Sequence, residues 1–524
     1  MISALSSSLA GARFSWSVPR FLRHPVTLME ARAAVGRRRE RREVDFLDIA
    51  RRGIYENPAS PYRRLLALAG CEYGDLDRLV RRDGVEGAML ALLRRGVYVT
   101  VEEFKGRRPI ARPGLTYEVG PEAFQNPRTI GHVPAQSGGS RSPGTAILMN
   151  LDFIRDCAMD TLLLFHARGG LGWHMAQWQV PGSGVIARLL EYASFGPVPE
   201  RWFSHIDPAA PGIHPRYRWS ARLLRMGGRL AGRHFPRPEH VSVDAPLPIA
   251  RWMASVLEAG GTPHLHTFVS SAVRLCRAAG GAGIDLRGAK FMVTGEPLTR
   301  TQRAVIEDAG GEVTVRYGIV ECGVVGFGCL GRGEADEVHF VDDLHALVQS
   351  DSDGIGLPPR TLLLSSLRPA APLILLNVSM GDQAVAESAP CACPVEAIGW
   401  TRRLHTIRSR EKLTAGGMTF LDVAVVRVLE EVLPARFGGH STDYQLVEEH
   451  GGDGALRLRL LVHPRVGVVD ESAVSEAFLS AVGTGAGAEP VMSLVWRDAR
   501  LFRVERRPPL VTASGKILHL HVQR

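Results

Sequence analysis

The segment from residue 290 to residue 317 constrains the fold of this chain most strongly. An apolar strand opens Lys290–Glu296, a helical stretch follows over Thr299–Gly310, and a second apolar strand lies at Glu312–Tyr317. Thr299 is a suitable helix cap, and a Gly-Gly pair is a suitable helix end. Two strands joined by a helix pair in parallel, because the chain must cross over the sheet between them. The pattern therefore predicts an α/β fold that contains a parallel sheet.

The length of 524 residues predicts more than one domain, since a single hydrophobic core rarely serves more than about 300 residues. Residues 45–105 show the spacing of helices, and residues 150–290 alternate helical segments with short apolar strands. We predict a large N-terminal domain over residues 1–404, with a helical extension over about residues 1–110, and a small α+β domain over residues 405–524.

The composition is that of a soluble enzyme, with 45% hydrophobic and 22% charged residues. No apolar run approaches the roughly 20 residues that a membrane helix needs, so no membrane span is expected. Met1–Arg20 lacks a sustained apolar stretch and makes a poor secretory signal. Seven scattered cysteines, an odd number, argue against a disulfide framework and favour a cytoplasmic location.

The formal net charge is +9, and the densest basic run is Arg37–Arg42. Such a run could contact nucleic acid or anionic lipid. No aromatic stacking pattern or nucleic-acid module accompanies it, so we interpret it as a solvated arm or helix and expect no nucleic-acid partner.

Two segments could serve a phosphate group. The loop Gln136–Thr145 is rich in glycine and serine, and its small residues would let backbone N–H groups converge on a triphosphate. No Gly-Lys-Ser/Thr follows it, so it is not a Walker A loop, and an ordinary surface loop stays an alternative. Lys516 lies on a Gly-bearing turn after Pro508 and Pro509. It is either a solvated lysine or a mobile charge that reaches a phosphate site in another domain.

The segment Tyr317–Glu321 directly follows a strand, and ligands bind at the carboxyl ends of parallel strands. Tyr317 could flank a flat ring, and Glu321 could hold Mg²⁺ through its carboxylate oxygens. A half-buried strand end followed by an unrelated acid is the alternative.

Five short motifs in a fixed order carry a family resemblance. They are a phosphate-type loop at Ser137, Gly138, Gly139 and Ser140, an adenine-type segment with Gly295 and Glu296, an aromatic motif with Tyr317, Gly318 and Glu321, a ribose-type segment ending in Asp382, and a terminal Ser514-Gly515-Lys516. In these motifs the sequence resembles the adenylate-forming superfamily, and within it the phenylacetate–CoA ligase-like branch, across most of the chain. The resemblance implies a large multi-subdomain N-terminal domain and a small mobile C-terminal lid.

The resemblance also implies a two-step reaction. A carboxylate, expected to be aryl or otherwise hydrophobic, attacks the α-phosphate of ATP, and a thiol of coenzyme A or of a carrier protein then displaces AMP. Lys516 and Glu321 would be catalytic, with Glu321 on Mg²⁺ and Lys516 offsetting charge at phosphorus. Asp382 would bind the ribose, and Arg408 lies in the hinge about which the lid would move.

Three positions depart from the family pattern and suggest a divergent subfamily. Arg141 stands where glycine is common, Asn377 opens a ribose segment that lacks two basic side chains, and Arg410 stands at a usually acidic hinge position. An acyl-protein synthetase that passes a fatty acyl group to a protein thiol stays open, as does a non-catalytic nucleotide-binding homologue. An acyl carrier protein and a second copy of the chain, as a homodimer, are the partners left open beside the small acid substrate.

Four residues could form a metal site. Cys329, His339, Cys391 and Cys393 would suit a closed tetrahedral Zn²⁺ site, and some members of the resembling branch carry a structural metal at corresponding positions. Inert buried thiols are the alternative. We interpret Cys322 as a packing residue. His166 and His174 could contact the substrate acid or could be ordinary core or surface histidines.

Overall fold

The computed structural model describes most of the chain: residues 4–136, 146–180, 182–207, 210, 215–243, 245–295, 298, 300–331, 333–350, 357–388, 390–409, 414–415, 418–419, 428–439, 443–450, 456–483, 496, 502–510 and 520–523. Within these ranges every helix is too short or too polar to span a bilayer.

Helices dominate the N-terminal hundred residues, as predicted. They are α1 (Ala4–Arg23), α2 (Leu28–Glu40), α3 (Arg42–Ile49), which continues as a π-helical turn (Ala50–Tyr55), α4 (Tyr62–Leu68), α5 (Tyr73–Arg94) and α6 (Val101–Phe104). The sequence sets their starts locally. Thr27 and Glu30 form a reciprocal capping box at α2, and Thr100 and Glu103 form one at α6. Each box satisfies N–H groups that a helix start leaves unpaired.

A twelve-stranded sheet forms the centre of the molecule. Six neighbouring strands are parallel, in the spatial order β7 (Pro238–His240), β6 (Arg201–Ser204), β5 (His174–Gln179), β8 (Pro263–Phe268), β9 (Lys290–Thr294) and β10 (Glu312–Ile319). The sheet continues antiparallel from β10 through β11 (Gly323–Gly328), β12 (Val338–Phe340), β16 (Arg403–Ser409), β15 (Val378–Glu387), β14 (Thr361–Ser366) and β13 (His345–Gln349). The predicted α/β class is confirmed.

The crossover predicted between residues 290 and 317 is present. β9 and β10 pair in parallel, with Lys290 opposite Glu312 and Val293 opposite Val315. Helix α12 (Arg300–Asp308) connects them. Gly310 ends this connection with a φ of 87°, and a Cβ there would lie 2.7 Å from the Arg287 Cα. Only glycine fits that turn without strain.

Helices cover both faces of the parallel half of the sheet. The helices of this part are α7 (Leu151–Ala167), α8 (Ser183–Phe195), α9 (Pro215–Leu230), α10 (Leu247–Glu258), α11 (Val269–Gly281) and α12. α7 and α8 lie on the face that carries His266 and Arg316, because Tyr192 of α8 contacts His266 and Glu191 contacts Arg316. The side chains of β5, β8 and β9 are accordingly almost all buried or half-buried, although several of them are polar.

The basic run Arg37–Arg42 is partly structural, which corrects its interpretation as a solvated arm or helix. It spans the junction of α2 and α3, and Arg38 is only 4% exposed. The Arg38 guanidinium lies 3.0 Å from carboxylate oxygens of Asp156, Asp160 and Asp343. The run therefore attaches the N-terminal helices to the large sheet domain.

The C-terminal part contains a separate four-stranded sheet. Its order is β21 (Phe502–Arg506), β20 (Leu456–Val462), β19 (Tyr444–His450) and β22 (Leu520–Gln523). Helices α13 (Leu433–Phe437) and α14 (Glu471–Val482) accompany it. Phe478 of α14 stacks on Phe502 with ring centroids 4.7 Å apart. This part has the predicted α+β character; β16 of the large sheet extends to Ser409, and the predicted division at residue 404 stays a prediction.

Short two-stranded ribbons complete the described strands. They are β1 (Ile110–Arg112) with β2 (Leu115–Tyr117), β3 (Val133–Gln136) with β4 (Ala146–Met149), and β17 (Thr414–Ala415) with β18 (Met418–Thr419). In the second ribbon Gln136 pairs with Ala146, so the Gly/Ser-rich segment connects two paired strand ends.

Candidate functional site

The site is built where the sheet changes from parallel to antiparallel. β10 is the last parallel strand, and a tight turn returns the chain along β11. Gly323 closes this turn with a φ of 74°, and a Cβ on it would lie 2.8 Å from the Phe153 ring. A Cβ on Gly318 would lie 3.1 Å from the Gly323 carbonyl oxygen. The glycines therefore let the backbone fold back closely at the carboxyl edge, where α/β sheets bind ligands.

Tyr317 and Asp382 meet at this edge although 65 residues separate them. The Tyr317 hydroxyl donates a hydrogen bond of 2.8 Å to Asp382 Oδ2. Burial and the neighbouring carboxylate hold the pKa of Tyr317 well above its usual value, so the phenol stays a donor. Asp382 is 6% exposed and follows Gly381, whose φ of 90° turns the strand. Two of the five motifs thus share one place in the fold.

Glu321 and Gly295 lie at the same edge. Glu321 is in the turn between β10 and β11 and is 5% exposed. Gly295 directly follows β9, which pairs with β10, and has a φ of 81°. A nearly buried carboxylate at the carboxyl end of a parallel strand is suitable for Mg²⁺, which prefers oxygen ligands.

The backbone of Arg408 is next to the Asp382 segment. Arg408 pairs with Gln383, and Ser409 pairs with Asp382, between β16 and β15. The remaining predicted residues, Ser137, Gly138, Gly139, Ser140, Glu296 and Lys516, lie outside the described residues, as do Arg141 and Arg410. Their assignments stay predictions.

The four predicted metal ligands form one cluster. Cys329 follows β11, His339 lies on β12, and Cys391 and Cys393 lie on the loop after β15. One ligand atom from each residue lies within 4.8 Å of the other three. The Cys329 and Cys391 sulfurs are 3.4 Å apart, and Cys393 Sγ is 3.1 Å from His339 Nε2. Zn–S bonds of about 2.3 Å place tetrahedral ligand atoms about 3.8 Å apart, so the set fits zinc.

Hydrogen bonds around the cluster prepare it for a cation. His339 Nδ1 lies 2.6 Å from the Trp400 carbonyl oxygen, which can only accept, so Nε2 keeps its lone pair toward the sulfurs. Burial acts to raise the pKa of Cys393, but the backbone N–H groups of Leu330, Glu396 and Val395 lower it. Gly331 N donates to Cys329 Sγ over 3.3 Å, although burial and the neighbouring cysteines raise the pKa of Cys329 in the absence of a cation. A neutral imidazole with a stabilised thiolate is the ligand state that zinc requires.

His166 and His174 lie far from this edge of the sheet. His174 begins β5 opposite Pro263 of β8, one residue before the row that contains His264, Lys290 and Glu312. Tyr317 lies five residues beyond Glu312, about 16 Å along the strand. His174 Nδ1 instead contacts Glu200 Oε1 at 2.6 Å, and His166 is exposed at the end of α7. Both His166 and His174 are therefore ordinary surface histidines and not residues that contact the substrate acid at this edge. Cys322 is buried in the main core, as a packing residue would be.

Sequence reasoning missed a buried ion pair directly behind Tyr317. Arg316 Nη1 lies 3.0 Å from Glu191 Oε1 and 3.0 Å from Thr161 Oγ1, and Arg316 and Glu191 are 2% and 3% exposed. The pair fixes β10 against α7 and α8. An arginine inside an apolar strand was the only available signal, and it does not identify its partner.

A row of buried polar side chains on the same face was also missed. Gln177, His266 and Thr314 lie at one register level across β5, β8 and β10. Both side-chain polar atoms of Gln177, Nε2 of His266 and Oγ1 of Thr314 are buried without a partner among the described residues. Buried polar groups are normally satisfied, so this row has hydrogen-bonding capacity to offer to water or to a bound molecule.

Comparison with known proteins shows the fold. No protein-family model and no curated protein matches the sequence. A solved structure of 2-hydroxyisobutyryl-CoA ligase in complex with 2-HIB-AMP and CoA has a TM-score of 0.54 and 13% identity, over 93% of this chain and 90% of that chain. The amide bond synthetase McbA from Marinactinospora thermotolerans has a TM-score of 0.43 and 14% identity, over 96% of this chain and 98% of that chain. The chain therefore has the fold of the AMP-forming acyl-CoA ligase structure to which it is similar.

Proposed function

We propose that this chain is an ATP-dependent ligase that activates a carboxylic acid as an acyl-adenylate and transfers the acyl group to a thiol. The contact between Tyr317 and Asp382 carries the proposal. It joins the aromatic and ribose-type motifs at the carboxyl edge of the sheet, where a nucleotide would bind in an α/β fold. The fold likeness to a ligase that was solved with an acyl-adenylate and CoA supports the same reading.

Each residue at this edge has a chemical task in the proposal. Asp382 accepts hydrogen bonds from the ribose hydroxyls, and the Tyr317 hydroxyl holds its carboxylate in position. The Tyr317 ring flanks the adenine. Glu321 holds Mg²⁺, which neutralises phosphate charge. Ser137–Ser140 cradles the phosphates, and Lys516 offsets the charge that develops on the α-phosphate.

The reaction proceeds in two displacements. A substrate carboxylate oxygen attacks the α-phosphorus of ATP, the bond to the bridging oxygen breaks, and pyrophosphate leaves. A thiolate then attacks the acyl carbonyl carbon, and AMP leaves with the electron pair of the broken C–O bond. Positioning and electrostatic stabilisation supply the catalysis, since no protein nucleophile is required.

The substrate is proposed to be an aryl or otherwise hydrophobic acid, and the acceptor to be coenzyme A or a carrier-protein thiol. A panel of aryl, short aliphatic and long aliphatic acids, assayed by pyrophosphate release, tests the first step. Coenzyme A and a carrier protein are then added to the acids that respond. Acid-dependent pyrophosphate release that Asp382→Asn reduces supports the proposal. ATP binding with no release for any acid would favour a non-catalytic homologue, and protein acylation by long-chain acids alone would favour an acyl-protein synthetase.

We also propose that Cys329, His339, Cys391 and Cys393 hold one structural Zn²⁺. The donor set leaves no position for a substrate or a hydroxide, since four protein ligands close a tetrahedral site. The cluster joins β11 and β12 to the loop that follows β15. Asp382 lies on β15 itself. Its role would be to hold this antiparallel half of the sheet in register beside the nucleotide site.

A further inference from the structure

Helices α1 and α9 pack against each other and carry an unusual concentration of positive charge. Residues 4–29 contain three arginines and residues 208–238 contain seven, and neither segment contains an aspartate or a glutamate. The helices approach closely because the side chains on the inner face of α9 are small. A Cβ on Gly227 would lie 3.0 Å from Val18 of α1. We call the outward side of α9, where it packs on α1, the α1–α9 surface, defined by Arg218, Trp219, Arg222, Met226, Arg229 and Leu230.

The outward side of α9 presents an apolar stripe. Trp219, Met226 and Leu230 are 58%, 48% and 61% exposed. Their spacings of seven and four residues place them on one face of the helix. The buried face is a different set, formed by Ala221, Leu224, Gly227 and Gly228. The stripe therefore has no partner within the described part of this chain.

Arginines border this stripe. Arg218, Arg222 and Arg229 are exposed, and the Arg222 guanidinium lies 5.5 Å from the Trp219 ring centroid. In the part of the chain that the structure describes, these three arginines pair with no carboxylate. Burial lowers the pKa of Arg225, and the neighbouring Arg237 and Arg229 lower it further. The surface is thus electrostatically crowded and lacks its own counter-charge.

Further apolar groups adjoin the ends of the two helices. Trp16 is 87% exposed on α1, on the side turned away from Gly11 and Val18, which contact α9. An apolar cleft of about 320 Å³ opens beyond α1, lined in part by Pro25, Leu28 and Gly196. Arg233, just after α9, donates to the Gly196 carbonyl oxygen over 2.6 Å, so the cleft adjoins the surface.

We propose that the α1–α9 surface binds an anionic lipid membrane. Tryptophan, methionine and leucine side chains can enter the headgroup region, while the flanking arginines bind lipid phosphates and extend to the interface. Anionic lipids supply the counter-charge that α1 and α9 lack. The exposed side chains project outward from α9, a shape that a fluid bilayer accommodates without a complementary groove. An acidic protein partner would need a matching concave surface. Membrane attachment would bring the chain to water-insoluble compounds.

Vesicle co-flotation of the full-length protein tests this proposal. The expected result is binding to vesicles of phosphatidylcholine with phosphatidylglycerol and little binding to phosphatidylcholine alone, with a loss as salt rises. The variant Arg218→Gln, Arg222→Gln and Arg229→Gln should reduce binding about 10- to 100-fold, because each basic residue near an anionic surface contributes to attraction. Trp219→Ala with Leu230→Ala should reduce it while leaving the net charge unchanged.

A matched control removes the same charge elsewhere. Arg78, Arg82 and Arg287 are 74%, 70% and 83% exposed, and their change to glutamine also lowers the formal charge from +9 to +6. The control should retain vesicle binding. An equal loss in the control would overturn the proposal, because net charge alone would then explain binding. Absence of binding to anionic vesicles would also overturn the proposal. The same holds if these arginines bind an acidic protein but no anionic vesicles.

Discussion

At the scale of single residues, the hydrogen bond from Tyr317 to Asp382 is the central observation. The bond is charge-assisted, Asp382 is buried and Tyr317 is half-buried, so the bond fixes the direction of the Asp382 carboxylate. A carboxylate held in this way can accept two ribose hydroxyls without first losing side-chain freedom. Pre-organisation of this kind lowers the entropic cost of binding.

Tyr317→Phe should weaken nucleotide binding more than it slows chemistry. The variant keeps the ring that flanks adenine but removes the donor to Asp382, a bond worth about 1.5–3 kcal/mol when one partner is charged. We expect the KM for ATP to rise about tenfold and kcat to change by less than about threefold. Steady-state pyrophosphate release with varied ATP measures both. An unchanged KM would show that the hydroxyl does not position Asp382.

His345 should make the stability of the large domain depend on pH. It is fully buried, and burial lowers its pKa to about 4, against about 6.5 in an unfolded chain. The unfolded state therefore binds a proton that the folded state refuses, so this contribution to stability is present above pH 6.5 and is lost as pH falls toward 4. The slope is about 1.4 kcal/mol per pH unit.

His345→Gln should flatten this dependence, because the titrating imidazole is removed. The glutamine amide can still donate to the Val324 carbonyl oxygen that His345 Nε2 contacts at 3.0 Å. Denaturant melts at pH 7.5, 6.5 and 5.5 measure the change. His174→Gln, at a side chain that is 42% exposed, is the matched control and should behave like the parent chain. Equal slopes in parent and His345→Gln would contradict the assignment.

At the scale of elements, local pattern predicted more than long-range pairing. β9, α12 and β10 were predictable because strand, helix and strand follow one another within 28 residues and their signals are local. The order of the antiparallel half was not, because Val338 of β12 pairs with Leu404 of β16, with β13, β14 and β15 between them in sequence. The membership of Tyr317 and Asp382 in one site was expected from the family resemblance. The partners of Arg316 and Arg38 were not predictable, since a sequence does not show which arginines become buried in the folded protein.

The cysteine–histidine cluster should contain one zinc per chain and stabilise three elements together. Cys391→Ser should remove the zinc measured by elemental analysis and lower the thermal midpoint, because metal-binding free energy is part of the folding free energy. Cys276→Ser changes a buried thiol outside the cluster, so the zinc content of this control variant should equal that of the parent. A purified parent chain that is metal-free and equally stable with a chelator would show that the thiols are inert.

At the scale of the whole molecule, the N-terminal helices are part of the large domain. Arg38 binds Asp160 and Asp343, which are both fully buried, and Arg368 links Asp45 of α3 to Asp156 of α7. Truncation of the first hundred residues would therefore expose carboxylates of the sheet domain or leave them buried without an arginine partner. The extension has a structural role whatever else it does.

Arg38→Met should destabilise the domain strongly. It leaves the Asp160 and Asp343 carboxylates buried without their guanidinium, and loss of one partner of a buried ion pair typically costs about 3–5 kcal/mol. Thermal melting and the soluble yield measure the effect. Arg37→Met, at the exposed neighbouring position, is the control and should leave both unchanged. Equal stability of the two variants would mean that Arg38 does not join the helices to the sheet.

The proposed function requires acid adenylation in which Lys516 acts mainly in the first step. The most direct measurement compares the two half-reactions of Lys516→Ala with those of the parent chain, using an acid identified by the screen. Pyrophosphate release should fall at least about 100-fold, since electrostatic stabilisation of a transition state is typically worth that much. Thioester formation from a supplied acyl-adenylate should change little. Undiminished pyrophosphate release, or none from the parent chain with any acid, would contradict the proposal.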